Sequence, residues 1–142
     1  MSDLNKLYDP VIKAHQASPY HFEKKTNAPF VVKAYNPVCG DRYEFFVEVS
    51  DRKISAIYFH GFGCAVSKAA SSVLGKSVEG KSIDEAIELC NAYLGLLNGK
   101  EVQVKVPEEF YSFMAVKDFP ARYECAAMAW IEMKKFFIKL TS

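Results

Sequence analysis

The chain predicts an α+β fold: an N-terminal helix, a three-stranded antiparallel sheet, and then packed helices. Three observations carry this expectation. Apolar residues recur at helical spacing near the start, three consecutive runs rich in Val, Ile, Phe and Tyr follow, and helical patterns with capping signals fill the remainder.

The first element rests on Leu4, Leu7, Tyr8, Val11, Ile12 and His15, which share one helical face behind the N-cap types Ser2 and Asp3 and end near Ser18-Pro19. Residues 30–35, 42–49 and 53–62 then read as strands of a meander, broken by Asn36-Pro37 and Ser50-Asp51. After Gly61-Phe62-Gly63 the pattern changes to small residues at helical density, from Cys64 to Val78. Ser82-Ile83-Asp84-Glu85 is a capping-box signature for a helix reaching about Leu97. Beyond Asn98-Gly99 lies a less regular stretch, and Pro120 suits the first position of a last helix running through Trp130 to about Leu140.

With 142 residues, half hydrophobic and a quarter charged, the chain has the composition of one folded domain spanning 1–142. Its formal charge of +1 gives no electrostatic reason to expect nucleic acid or an anionic membrane as a partner. The N-terminal residues lack a secretory pattern, and no apolar run approaches the ~20 residues of a membrane span, so a cytoplasmic protein is expected. In that reducing compartment the four cysteines, Cys39, Cys64, Cys90 and Cys125, point to metal binding or thiol chemistry rather than disulfides.

Three of these cysteines sit in chemically suggestive places. Cys39 and Asp41 lie two residues apart in Asn36-Pro37-Val38-Cys39-Gly40-Asp41, between two strands, where an extended segment would point them to the same side. Cys64 ends a strand and opens a helix, and the positive helix terminus there favours thiolate. Cys125 lies inside the last helix with Arg122 one turn earlier on the same face. Three thiolates and a carboxylate suit tetrahedral zinc, but separations of 25 and 61 residues leave a shared site and separate roles both open. Four anionic ligands on a divalent ion would leave a surplus of about two negative charges, for which Arg122 is the candidate compensator.

Asn36-Pro37-Val38-Cys39-Gly40-Asp41, then Gly61-Phe62-Gly63-Cys64 with the helix containing Ser67, Ala69, Ala70, Ser71 and Ser72, then Phe119-Pro120-Ala121-Arg122-Tyr123-Glu124-Cys125-Ala126 with Trp130, together resemble the three ordered signatures of the IscU/NifU family of iron–sulfur cluster assembly proteins. Scaffolds of the IscU type usually carry histidine directly before the last cysteine; Glu124 stands there instead, which resembles the SufU branch. The stretch 91–113 looks like the insertion of that branch, whereas the segment 17–22 departs from the family's Asn-Pro-Arg-Asn pattern. The resemblance implies a zinc site of Cys39, Asp41, Cys64 and Cys125, with Cys39 able to leave the metal and accept sulfur. It implies a pyridoxal-phosphate cysteine desulfurase of the SufS type as donor and downstream cluster assembly proteins as recipients. The chain would then be a sulfurtransferase-type acceptor rather than a free-standing turnover enzyme. Two alternatives use the same residues: a scaffold binding iron or an iron–sulfur cluster, and a structural zinc module without sulfur chemistry.

Other residues have plainer readings. Cys90 shares an apolar stripe with Ile83, Ala86, Ile87, Tyr93, Leu94 and Leu97 and is expected to be a buried hydrophobe. Phe110, Phe113, Met114 and Phe119 are expected to close the core. His60, four residues before Cys64, is the histidine with a case for lying near the site, while a cysteine-nucleophile hydrolase lacks a histidine placed by the sequence as its base. Asp41 by itself could be a turn residue.

Overall fold

The computed structural model describes residues 9–141. Helix α1 (Pro10–Ala17) leads to strands β1 (Phe30–Asn36), β2 (Asp41–Ser50) and β3 (Lys53–Phe62), then to α2 (Ala65–Val78), α3 (Ile83–Leu97), a 3₁₀ stretch (Glu108–Asp118) and α4 (Pro120–Thr141). The sheet is an antiparallel meander in the order β1-β2-β3, as expected. Within the described residues α1 begins at Pro10, because Asp9 caps it by accepting a hydrogen bond from the Ile12 N–H at 3.0 Å and proline occupies the first turn. The expected start near Ser2 and Asp3, with Leu4, Leu7 and Tyr8, lies outside the described residues.

Alternation along the strands decides which face is covered. Tyr43, Phe45 and Val47 of β2 and Ile57 and Phe59 of β3 point inward and are almost completely buried. The helices cover that face, with α2 against β3 and α4 against β1. Helix α2 is buried on nearly every side because it lies between α1, α4 and the sheet, and its Ala and Ser residues keep those neighbours close. The hydroxyls this burial traps bond to the helix itself, Ser71 Oγ donating to Ser67 O at 2.9 Å and Ser77 Oγ to Val73 O at 2.6 Å.

The residues that departed from the family pattern at 17–22 have a structural use. His21 to Glu23 run beside β3, with Phe59 N donating to His21 O at 3.1 Å and Glu23 N to Phe59 O at 2.9 Å, which protects a sheet edge. His15 joins α1 to two other elements through Ser72 Oγ at 2.6 Å and Glu109 Oε2 at 2.5 Å. This Ser–His–Glu arrangement is a brace rather than a nucleophilic triad, because Ser72 is wholly buried in mid-helix and also accepts from the Tyr20 N–H at 2.7 Å.

Aromatic packing fixes α4. Trp130 stacks on Tyr93 of α3 with ring centroids 3.9 Å apart, its indole N–H donates to Ala70 O at 3.1 Å, and Tyr93 OH donates to Ala126 O at 2.8 Å. Phe110 and Phe113 of the 3₁₀ stretch are fully buried and meet Tyr93 edge-on, as the core reading expected. Cys90 is likewise fully buried, and burial pushes its thiol up to about 12. Among the described residues no helix is long and apolar enough to cross a membrane.

Candidate metal centre

The centre forms at the end of the sheet where β1 passes into β2. Asn36 and Asp41 pair across this hairpin, and Gly40, at φ +73°, turns the chain with its N–H donating to Asn36 O at 2.8 Å. Cys39 and Asp41 therefore converge because the chain reverses between them, not because an extended segment carries both on one side. Cys39 is exposed on the turn, whereas Asp41 is fully buried. Asp41 is thus more than a solvated turn residue.

Helix α4, set by the Trp130 contacts, brings Cys125 to this hairpin across 86 residues of sequence, its Sγ 3.5 Å from that of Cys39. Ligand atoms of Cys39, Asp41 and Cys125 all lie within 4.8 Å of one another. Cys64 borders the trio. Its backbone N–H donates to Asp41 Oδ1 at 2.9 Å, and its sulfur caps α2 by accepting from the Ser67 N–H at 3.5 Å, which holds it outside that mutual 4.8 Å set. All four cysteines are free thiols.

Cys125 is the electrostatic hub. Its interaction with Cys64 lowers the Cys64 thiol to about 6 against the opposing effect of burial, and the Ser67 N–H adds to the lowering. The same interaction, with burial, raises Cys125 far above the ordinary thiol range. Arg122 stands where the helical spacing put it, with Nη1 3.9 Å from Cys39 Sγ and 4.0 Å from Cys125 Sγ. Its guanidinium is more firmly protonated than usual, chiefly through Cys125.

Two constraints escaped the sequence reading. Asn36 is buried and its amide donates to Asp41 Oδ2 at 3.1 Å and to Cys125 Sγ at 3.7 Å. Gly63 leaves no room for a side chain, since a Cβ there would stand 2.5 Å from Asp41 Oδ1, 2.5 Å from Ser67 Oγ and 2.7 Å from Tyr43 OH. Both residues belong to the quoted motifs, so the signal was present without an assigned role. His60, by contrast, does not serve the centre. Its side chain lies on the outward side of β3, exposed, with its ring 4.8 Å from that of Phe22.

The donor set suits zinc or iron, since thiolate and carboxylate are ligands of both and a sulfur pair 3.5 Å apart is compatible with a shared ion. Fold and cluster together define an α+β protein with a candidate thiolate–carboxylate metal centre. The chain belongs to the family described as the NifU-like N-terminal domain, whose pattern matches residues 7–135.

The chain is 34% identical over 136 residues to the iron–sulfur cluster assembly scaffold protein IscU of Streptococcus pyogenes serotype M1, a match covering 95% of this chain and 85% of that protein. It is 29% identical over 135 residues to the zinc-dependent sulfurtransferase SufU of Bacillus subtilis, covering 94% and 91%. A crystal structure from Fervidobacterium islandicum, described as an iron–sulfur cluster assembly scaffold for the SUF system, superposes with a TM-score of 0.86 at 27% identity, covering 94% of this chain and 98% of that one. The N-terminal part of a NifU-like protein from Brucella abortus shares the fold, with a TM-score of 0.82 at 17% identity over 98% of this chain and 99% of its own. The family resemblance read from the three motifs is borne out.

Proposed function

We propose that this protein is a zinc-binding acceptor and carrier of persulfide sulfur in iron–sulfur cluster assembly, working with a SufS-type cysteine desulfurase. The observation that carries the reading is the asymmetry of the thiols. Cys39 is exposed on a turn with Gly40 as hinge, while Cys125 is buried inside a helix and Cys64 is tied to a helix start.

Cys39, Asp41, Cys64 and Cys125 would hold the metal, Cys64 by turning its sulfur from the Ser67 N–H toward the other three. Zinc bound there would keep its thiols deprotonated and temper their nucleophilicity until they leave it. Cys39 can leave while Asp41, Cys64 and Cys125 stay, because only its backbone is free of helix or strand hydrogen bonding. Its thiolate then attacks the terminal sulfur of the desulfurase persulfide. A sulfur–sulfur bond forms on Cys39 and the desulfurase cysteine departs as thiolate. Arg122, between Cys39 and Cys125, offsets negative charge on both sulfurs.

The surface round the turn suits a partner. Val38 beside Cys39 is 82% exposed, and Tyr35 and Phe62 are exposed on either side of Arg42 at the open face of the sheet. Glu124, in place of histidine, favours the carrier over the scaffold. Similarity to IscU keeps the scaffold as a second reading, in which the iron–sulfur cluster is cargo held by the same thiols.

Two measurements decide. Anaerobically purified protein should be colourless with about one zinc, whereas cluster absorption bands would favour the scaffold. Incubation with desulfurase and cysteine, then persulfide trapping and peptide mass spectrometry, should place the added sulfur on Cys39. Persulfide chiefly on Cys64, Cys90 or Cys125 overturns the carrier mechanism, and an inert Cys39 indicates a purely structural site.

A further inference from the structure

The last residue of β1 uses every polar atom of its side chain within the centre. Asn36 Oδ1 accepts from the Val38 N–H at 3.2 Å, closing a short turn at the base of the Cys39 loop. That bond fixes the amide orientation, because an N–H donor at Val38 requires oxygen to face it. The nitrogen is thereby directed at Asp41 Oδ2, 3.1 Å away, and at Cys125 Sγ, 3.7 Å away. On the other side of the carboxylate the Cys64 N–H donates to Oδ1 at 2.9 Å. Asp41 is thus held from both oxygens.

The chemistry of this position is narrow. It needs two donors, one for a carboxylate oxygen and one for a sulfur, and one acceptor for the loop, all uncharged and within the reach of one methylene. Aspartate would keep the acceptor but offer no donor, and would add charge beside Asp41. Serine has a single donor, and alanine has neither. Arg122 does not duplicate the role: it approaches Cys39 and Cys125 from the accessible side, while Asn36 lies buried behind Asp41 and Cys125.

We propose that Asn36 is a positioning residue that preassembles Asp41 and Cys125 as the fixed half of the metal centre, so that the ion stays bound while Cys39 is away. This rests on the carrier reading above. Its specific content is that Asn36 acts through the two residues that stay, not through the residue that moves.

The test is zinc affinity, by competition with a chromophoric chelator, for Asn36→Asp and Asn36→Ala in the full chain and in a Cys39→Ser background. Cobalt(II) spectra and chelator-treated thermal melts accompany each. Loss of an outer hydrogen bond to metal ligands costs about 10–100-fold in affinity. The expected result is a loss of that size for both variants in both backgrounds, a changed sulfur-to-cobalt charge-transfer band even without Cys39, and a zinc-bound melting midpoint that falls further than the metal-free one, which Asn36→Asp also lowers because its carboxylate is buried beside Asp41. Affinity equal to the parent overturns the proposal. So does a loss that vanishes in the Cys39→Ser background, which would assign Asn36 to the loop alone, or one that follows the metal-free midpoint. Retention of zinc by Cys125→Ala would instead sink the underlying ligand assignment, so the two failures are separable.

Discussion

Gly63→Ala is the sharpest single perturbation of the centre. The backbone at Gly63 is not in the left-handed region, so alanine would meet no conformational strain; the obstacle is space. The new Cβ would stand 2.5, 2.5 and 2.7 Å from Asp41 Oδ1, Ser67 Oγ and Tyr43 OH, which is 0.7–0.9 Å inside the 3.4 Å where ordinary contact begins. None of the three can readily yield. All are buried, Tyr43 OH and Ser67 Oγ are bonded to each other at 3.1 Å, and Asp41 is held by Asn36 and by the Cys64 N–H. Overpacking costs about 1–3 kcal/mol, and breaking one of these hydrogen bonds adds about 1 kcal/mol. The expected destabilisation of the metal-free protein is therefore about 2–4 kcal/mol by urea unfolding in chelator. Zinc affinity should also fall by about tenfold or more, because relief of the clash moves Asp41 or the Cys64 segment. Gly95→Ala is the control. Its Cβ would meet only Lys100 Cβ at 3.8 Å inside α3, so it should stabilise by about 0.5–1 kcal/mol. A Gly63→Ala protein within about 0.5 kcal/mol of wild type and with unchanged zinc affinity would refute the packing argument.

Cys64→Ala and Cys125→Ala should each lose zinc and the stability linked to it, measured by metal analysis and melting with and without chelator, whereas Cys90→Ala should keep the metal. Arg122→Ala should weaken zinc retention or desulfurase-stimulated transfer, and Arg122→Lys should preserve part of it; wild-type behaviour of the alanine variant in both assays would remove Arg122 from the site. In the metal-free protein, alkylation of Cys64 should rise with pH about a midpoint near 6 and level off above it, since the thiolate reacts and the lowered value makes it abundant at neutral pH. Cys90, pushed up to about 12 and fully buried, should stay unmodified under native conditions; a Cys64 midpoint near 9 would show that its coupling to Cys125 is absent. Cys39→Ser should abolish stimulation of desulfurase turnover.

Local chemistry was readable from the chain alone. The strand runs, the Ser82–Glu85 capping box and proline at the start of α4 all express preferences decided within a few residues, and the structure places them within a residue or two of expectation. The candidate ligands were legible as motifs for a similar reason: a cysteine next to a turn glycine, or at a helix start, carries its chemistry in its neighbours. What tertiary structure decided was distance. Cys125 meets Cys39 because α4, stacked through Trp130 on Tyr93, runs along β1 with its first turns at the β1–β2 hairpin, a contact between elements that no local pattern encodes. The same packing set Asn36 against Cys125 and left no space for a side chain at Gly63. Periodicity tells which side of an element is buried, whereas the partner a buried atom meets depends on how separate elements cross, and that is settled by packing over the whole core.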